Sequence, residues 1–413
     1  MPYDPSADAV STGFKGYAGI FAQRRKYDLS DKVIYKARVA AKLFNILSRN
    51  LTKMSVTELE PRIFEYTEEN DVIAINNNPG TGTSFNVSNA DGQMLQEGDI
   101  LAVLINSVTA APSQETIQVI SVGAKDSGGA GYTTLTVKRG SSPINISTGS
   151  NYSLIWMGNA IAENAGGSQP RTKEPNYTYN YLQLFEKTVG ESQDVKNSQF
   201  YAKQFFSIQG QATRKRDILM KNINWALYLG ERNREIAADG NYKHFTGGIY
   251  EIIPTANKLS MATSMSVNFW NEKSSTTWFK SGNSRHEKFV AAGPKFMVEL
   301  ENMFTQYYRL EINQTLSKFY GIQIKSIQLS GGTFHFFREE AFLGTGYTNC
   351  AFLLDMDYLA YMYLQNRDIQ LDKNVTNPDE KWNRIKWRLY GRIGLFRAYA
   401  DAHHFLYNPT PPV

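Results

Sequence analysis

One stretch, TRKRDILMKNINWALYLGERNREIAADG (Thr213 to Gly240), keeps a helical period longer than any other part of the chain. With Ile218 at zero degrees and 100 degrees per residue, Trp225, Leu229 and Ile236 return to one line, and Leu219, Ile223, Ala226 and Ala237 form a second line beside it. Asp217, Lys221, Asn224, Glu231, Arg232 and Glu235 gather on the opposite side, and Asp239-Gly240-Asn241 supplies a stop. A helix over this span is roughly 40 Å long. A compact chain of 413 residues has a radius of gyration of about 22 Å. Such a member crosses most of the molecule, so the fold must be arranged along it.

The rest of the chain is short on long helices. Residues 1 to 29 are rich in Gly, Ala, Ser and basic residues and lack a sustained period, the composition of an arm that is poorly ordered alone. From a Ser30 cap, Val33, Ala37, Ala40, Phe44 and Leu47 recur at helical spacing until Arg49-Asn50. With Arg24, Arg25 and Lys26, the other faces of this helix make the first fifty residues basic, fit for solvent, an acidic neighbour or packaged nucleic acid. Between Asp71 and Ala160, the runs DVIAIN, SFNVS, ILAVLIN, TIQVISV, YTTLTVK and YSLIWM alternate with Gly, Asn, Ser and Pro clusters, predicting a small all-β sandwich or barrel inserted into a long loop.

Beyond the long helix, Gly293-Pro294 opens another, with Met297, Leu300, Phe304, Tyr307 and Tyr308 on one stripe. Ser330-Gly331-Gly332 suits a tight hairpin. CAFLLD reads as a buried strand leading into a helix, MDYLAYMYLQ, and Ile385, Trp387, Leu389, Ile393 and Leu395 predict one long strand running toward His404. Helices and strands mix without βαβ alternation, so the expected class is α+β.

Chemistry is hard to find in this chain. Hydrophobic residues at 42% and charged residues at 20% describe a protein with a core large enough for two or three domains, and a net charge of +5 is too weak alone to argue nucleic-acid binding. Cys350 is the only cysteine, which excludes an intrachain disulfide and a cysteine-based zinc site. GTGTSF and GTGYTN lack the third glycine of a dinucleotide loop, and no Gly-Lys pair exists to build a phosphate loop. Asp355 and Asp357 stand two apart as in metal-dependent transferases, but the first ends a strand and the second sits at a helix cap. His244, His286, His335, His403 and His404 show no zinc-helix spacing, and no serine sits in a nucleophile elbow. Glu339 and Glu340 form a carboxylate pair of the kind any chain this long offers. WRLYGRIGLFRAY interleaves aromatics with arginine, a nucleic-acid face on one reading and strand alternation on the simpler one. The expectation is therefore no enzyme: no catalytic, cofactor-binding or metal residues and no cofactor. No run of about 18 apolar residues exists to cross a membrane, and MPYDPSADAV lacks the order of a signal peptide, so folding in cytoplasm is expected.

The order of parts carries more information. NYLQLFEKTVGESQ, then IQGQATRKRDILMKNINWALYLGERN, then HFTGGIYEII, with GIQIKSIQLSGGTFHFFREEAF, NCAFLLDMDYLAYMYL and YGRIGLFRAYADAHHFLYN downstream, resembles the major capsid proteins of tailed double-stranded DNA phages, built on the Hong Kong ninety-seven fold. The resemblance runs over nearly the whole chain, with the β module at 71–160 as the departure. It implies an N-terminal arm and short helix at 1–54, an extended loop region at 55–190, a peripheral domain with a spine helix at 191–292, an axial domain at 293–378, and a C-terminal strand at 379–413 that returns to the peripheral domain. It further implies hexamers and pentamers in an icosahedral head assembled in host cytoplasm, enclosing genomic DNA without sequence-specific binding. Portal, separate scaffolding and decoration proteins are the implied partners. Glu231 and Arg232, on the charged face, would then contact adjoining subunits through weak, adaptable ion pairs. An encapsulin-type cargo shell of the same fold and a β-rich carbohydrate-binding protein are the rival readings.

Overall fold

The computed structural model describes residues 41–49, 53–65, 72–77, 79–92, 94–105, 114–123, 131–140, 143–146, 152–160, 176–192, 207–261, 266–279, 286–305, 311–320, 322–373, 375 and 384–407. The arm at 1–29, the first turns of the helix expected from Ser30, and Tyr307 and Tyr308 lie outside them. The chain forms two compact units, residues 1–63 with 177–413, and residues 64–176.

In the first unit the long helix spans Ile208–Leu229. Its 22 residues make roughly 33 Å. Two groups satisfy its first turn: the Ser207 hydroxyl accepts from Gly210 N at 3.2 Å, and a Glu191 carboxylate oxygen accepts from Ile208 N at 3.0 Å. The expected end at Gly240 is overturned. The helix stops at Gly230 because another backbone arrives there: Gly248 N donates to Gly230 O at 2.7 Å, and a side chain at Gly230 would run into the Thr246 carbonyl. Residues Asn233–Ile236 then pair antiparallel with Tyr242–Phe245 as a hairpin, and Gly240, at φ 80°, serves its turn. The buried stripe is also rotated from the expected one. Leu219, Ile223 and Leu227 are buried together with Ala212, Asn224 and Tyr228, whereas Ile218 points outward.

This helix lies along a sheet whose central member is the expected late strand, Arg384–Arg397. On one side that strand pairs antiparallel with Gln183–Ser192, and on the other with Leu359–Leu364, which pairs in turn with Met54–Val56. Ten residues of strand also make roughly 33 Å, so Gln183–Ser192 matches the helix in length. The contact of Ile208 with Glu191 and that of Thr246 N with Gln183 Oε1 (3.3 Å) pin the two ends in opposite directions. The helix expected over MDYLAYMYLQ is corrected here: Met356–Tyr358 is one 3-10 turn, and Leu359–Leu364 is a strand with its first four residues buried.

A second, seven-stranded sheet runs in the order Lys258–Ser260, His404–Tyr407, Cys350–Leu354, Glu287–Ala292, Gly332–Arg338, Lys325–Leu329, Glu311–Ile312. Its two faces feed different cores. Phe289, Ala291, Phe337, Phe352 and Leu354 join the cluster beneath the long helix, whereas Val290, Ala292, Phe334, Phe336, Ala351 and Leu353 join one capped by Pro294–Thr305 and by Trp270 and Trp278. Burial on both faces explains why CAFLL is continuously apolar. Leu329 opposite Gly332 confirms the expected tight hairpin through Ser330-Gly331.

The second unit is a six-stranded sheet in the order Val72–Ala74, Tyr152–Asn159, Asp99–Ile105, Gln114–Val122, Tyr132–Lys138, Ser84–Ser88. A bridge between Ile75 and Val87 joins its first and last strands, giving a nearly closed barrel around Phe85, Leu101, Val103, Ile117, Leu135 and Leu154. Inside it, Arg139 and Glu115 form a buried ion pair, and Arg139 also donates to Gly80 O (2.8 Å) and Ile144 O (2.6 Å).

Candidate functional site

Of the polar residues that sequence reasoning weighed as chemistry, Asp355, Glu339, His335, His403 and His404 are buried, whereas Asp357 and His286 are exposed. Asp355 ends its strand and meets Lys288 from the neighbouring one: Nζ lies 2.8 Å from Asp355 Oδ2 and 2.9 Å from Ala402 O, with both side chains essentially inaccessible. The other Asp355 oxygen accepts from Asp357 N at 3.2 Å, so Asp355, not Asp357, is the cap. Asp355 N donates to His403 Nδ1 at 3.3 Å. Burial first, then the Lys288 charge, drives the His403 pKa down to about 3, so the ring is neutral. Burial likewise lowers the Lys288 pKa, and the Asp355 carboxylate opposes that shift.

A second node joins three distant segments. The Glu339 carboxylate accepts from Leu43 N (3.3 Å), Ala341 N (3.2 Å) and the Tyr228 hydroxyl (3.2 Å). Asn224 Oδ1 accepts from Phe44 N at 3.0 Å. The helix Lys42–Arg49 is therefore capped by side chains about 180 and 296 positions away. Burial raises the Glu339 pKa against the pull of these donors. Asn180, buried, links a third set: its amide donates to Gly247 O (3.0 Å) and Leu395 O (2.8 Å), and its oxygen accepts from Gly247 N (2.7 Å). Sequence reasoning missed Asn180, Asn224 and Lys288. The helical period places Asn224 on the polar face of the helix, whereas it is buried on the core side.

His335 and Cys350 are also buried. His335 Nδ1 shares a hydrogen with Ser326 Oγ at 2.7 Å, and Cys350 is buried with its thiol pushed up to about 11 by desolvation. Among the described residues no cluster of three His, Cys, Asp or Glu side chains could hold a metal. No helix among them is long and apolar enough to cross a membrane.

What stays open to solvent is a surface for contact. The hairpin Asn233–Phe245 is exposed along nearly its whole length, with Ile236 (69%) and Tyr242 (56%) opposite each other. Arg232, placed by sequence on the helix, lies past its end and is engaged internally: it donates to Tyr179 O at 2.8 Å, stacks 4.2 Å over the Tyr179 ring, and faces Glu251. Glu231 also follows the helix, at an exposed position. Beside the N-terminal half of the helix runs a groove of about 570 Å³ whose lining includes Phe44, Met220, Ile369, Leu371 and Trp387 together with Arg216, Lys53 and Asp368. Charge is also unevenly divided. Residues 64–176 hold 11 of the 39 acidic side chains but only 5 of the 44 basic ones, so the basic excess belongs to the other unit.

Comparison with known proteins follows the same line. The family described as SU10 major capsid protein matches residues 20–410. Among solved structures the chain is similar to the capsid of an empty GTA particle computed with C5 symmetry (11% identity, TM-score 0.47, covering 95% of this chain and 97% of that one). It is similar to a Gordonia phage Cozz chain (11% identity, TM-score 0.44, 98% of both chains) and to a chain of an encapsulin complex from Synechococcus elongatus (11% identity, TM-score 0.37, 56% of this chain and 77% of that one). No curated protein sequence matches.

Proposed function

The chain belongs to the SU10 major capsid protein family, and on that premise we propose that it closes, as hexamers and pentamers, into the head of a tailed phage around double-stranded DNA. It is a structural protein of the virion shell whose activity is self-assembly. The observation that carries the reading is a family match running from residue 20 to residue 410, through both compact units.

The architecture supports roles for the parts. The helix Ile208–Leu229, pinned at both ends to a strand of equal length, acts as the spine of a peripheral domain at 191–292. Residues 293–378 form the axial domain around capsomer centres. Residues 55–190 form the extended loop region, which carries the barrel, and 379–413 return to the peripheral domain. A shell one domain thick is loaded in its own plane, and a stiff helix seated on a sheet resists bending there. The basic excess outside residues 64–176 suits phosphate neutralisation, which holds DNA without reading sequence. Assembly takes place in the host cytoplasm, with portal, separate scaffolding and decoration proteins as partners.

Negative-stain microscopy of the purified protein tests this. Closed shells or capsomer tubes are expected. Folded single subunits at high concentration would overturn it.

A further inference from the structure

The first unit carries an exposed apolar projection and a partly apolar groove that cannot meet within one subunit. The first is the hairpin after the long helix. Its apolar pair, Ile236 and Tyr242, stands on one face with Arg234, whose guanidinium lies 4.8 Å over the Tyr242 ring. Glu235 and Lys243 oppose each other on the other face, and Asp239 sits at the turn. These contacts fix the tip before it meets anything, which reduces the ordering cost of docking. The second is the groove beside the helix's N-terminal half, whose lining includes Leu371, 38% exposed, the exposed Arg216 cation, and the Lys53–Asp368 ion pair.

From Arg216 to the helix end at Leu229 is roughly 20 Å, and the hairpin starts beyond that end. Projection and recess thus lie at opposite ends of one rigid member, an arrangement that cannot satisfy itself and repeats head to tail between copies. Head-to-tail contacts are the kind that close into rings. Charge is complementary: Lys53 and Asp368 of the groove pair with each other at 3.8 Å, which leaves the exposed Arg216 cation to meet the acidic turn at Asp239.

We infer that the hairpin of one subunit inserts Ile236 and Tyr242 into the groove lined by Phe44, Met220, Ile369, Leu371 and Trp387 of a second copy. The inference rests on the shell reading above and adds the surfaces that make one contact of the shell.

Cysteine cross-linking in assembled particles tests it, since Cys350 is buried and desolvation raises its thiol pKa, which keeps it largely protonated at neutral pH. Particles of the Ile236→Cys, Leu371→Cys double variant, oxidised and run without reductant, should show a ladder of covalent oligomers holding most of the protein. Either single variant should remain monomeric. A disulfide needs Cα atoms within about 7 Å, so the pair cannot close inside one subunit. Oxidised double-variant particles that stay monomeric overturn the inference, as do single variants that cross-link equally well. A photoreactive residue at position 371 should capture residues 233–245; capture of residues 1–40 overturns it. Should the cysteine variants not assemble, Ile236→Ser with Tyr242→Ser decides. Particle yield should fall at least tenfold with the subunit's circular dichroism unchanged, and wild-type yield overturns the inference. Wild-type protein that forms no particles at all would sink the shell reading instead.

Discussion

Replacing Lys288 by Met deletes a cation from a sealed interior and leaves the Asp355 carboxylate in place. Lys288 lies on the same strand face as Val290, against the Phe279 ring at 5.7 Å, with no measurable exposure, and Asp355 is 1% exposed. Methionine keeps most of the apolar stem, so packing changes little and the loss is that of the ion pair and of the hydrogen bond to Ala402 O. Stranding one partner of such a pair costs about 3–5 kcal/mol, because the remaining charge keeps its desolvation penalty without its counter-ion. Exchanging both partners for apolar residues removes that penalty. Lys288→Met with Asp355→Leu should therefore be more stable than Lys288→Met alone, although it forfeits about 1 kcal/mol for the cap on Asp357 N. Urea unfolding of dissociated subunits, followed by near-ultraviolet circular dichroism, measures both. A single variant that loses under about 1 kcal/mol, or a double variant no better than the single, would refute the reasoning.

Four further outcomes are expected. With His403 held at about 3 when folded and near 6.5 when unfolded, its contribution to stability is complete above pH 6.5 and falls by about 1.4 kcal/mol per pH unit as pH drops toward 3. His403→Asn, which keeps an acceptor for Asp355 N, should flatten the urea midpoint against pH between 6 and 4, and an unchanged slope contradicts the assignment. Asn224→Leu orphans the Phe44 N–H and should cost about 1–3 kcal/mol, with faster amide exchange confined at first to Lys42–Arg49; uniform exchange would argue for global damage instead. Gly248→Ala drives a methyl group into the Gly230 and Tyr228 backbone, for a loss of about 1–3 kcal/mol seen as a lower urea midpoint. Cys350 should ignore a thiol reagent at pH 8 until the subunit unfolds, and prompt labelling of native protein would disprove its burial.

Where a segment's own pattern decided its structure, the sequence was readable. Tyr132–Lys138 alternates in and out because one face lines a barrel, and Ser330-Gly331 turns because glycine permits it. Where a distant segment decided, it was not. Ile236 and Ala237 continue the helical stripe on paper, but Gly248 docks on Gly230 and ends the helix before they are reached. LAYMYL looks helical since its core residues are apolar on every side; between two sheet partners that same composition makes a buried strand, which periodicity cannot separate from a buried helix. The polar nodes were hidden for a related reason, as Glu339 and Leu43 lie 296 positions apart.

The Ile75–Val87 bridge has an effect on how such a protein can be crowded. An open sheet ends in a row of unmet peptide groups that a neighbour's strand can zip onto, and many copies gathering at one assembly site would multiply those mistakes. By curling round until its outer strands touch, the inserted unit adds mass to every copy while leaving little of such a seam among its described residues. A lineage could therefore enlarge or redecorate this part with little danger of turning its container into fibres.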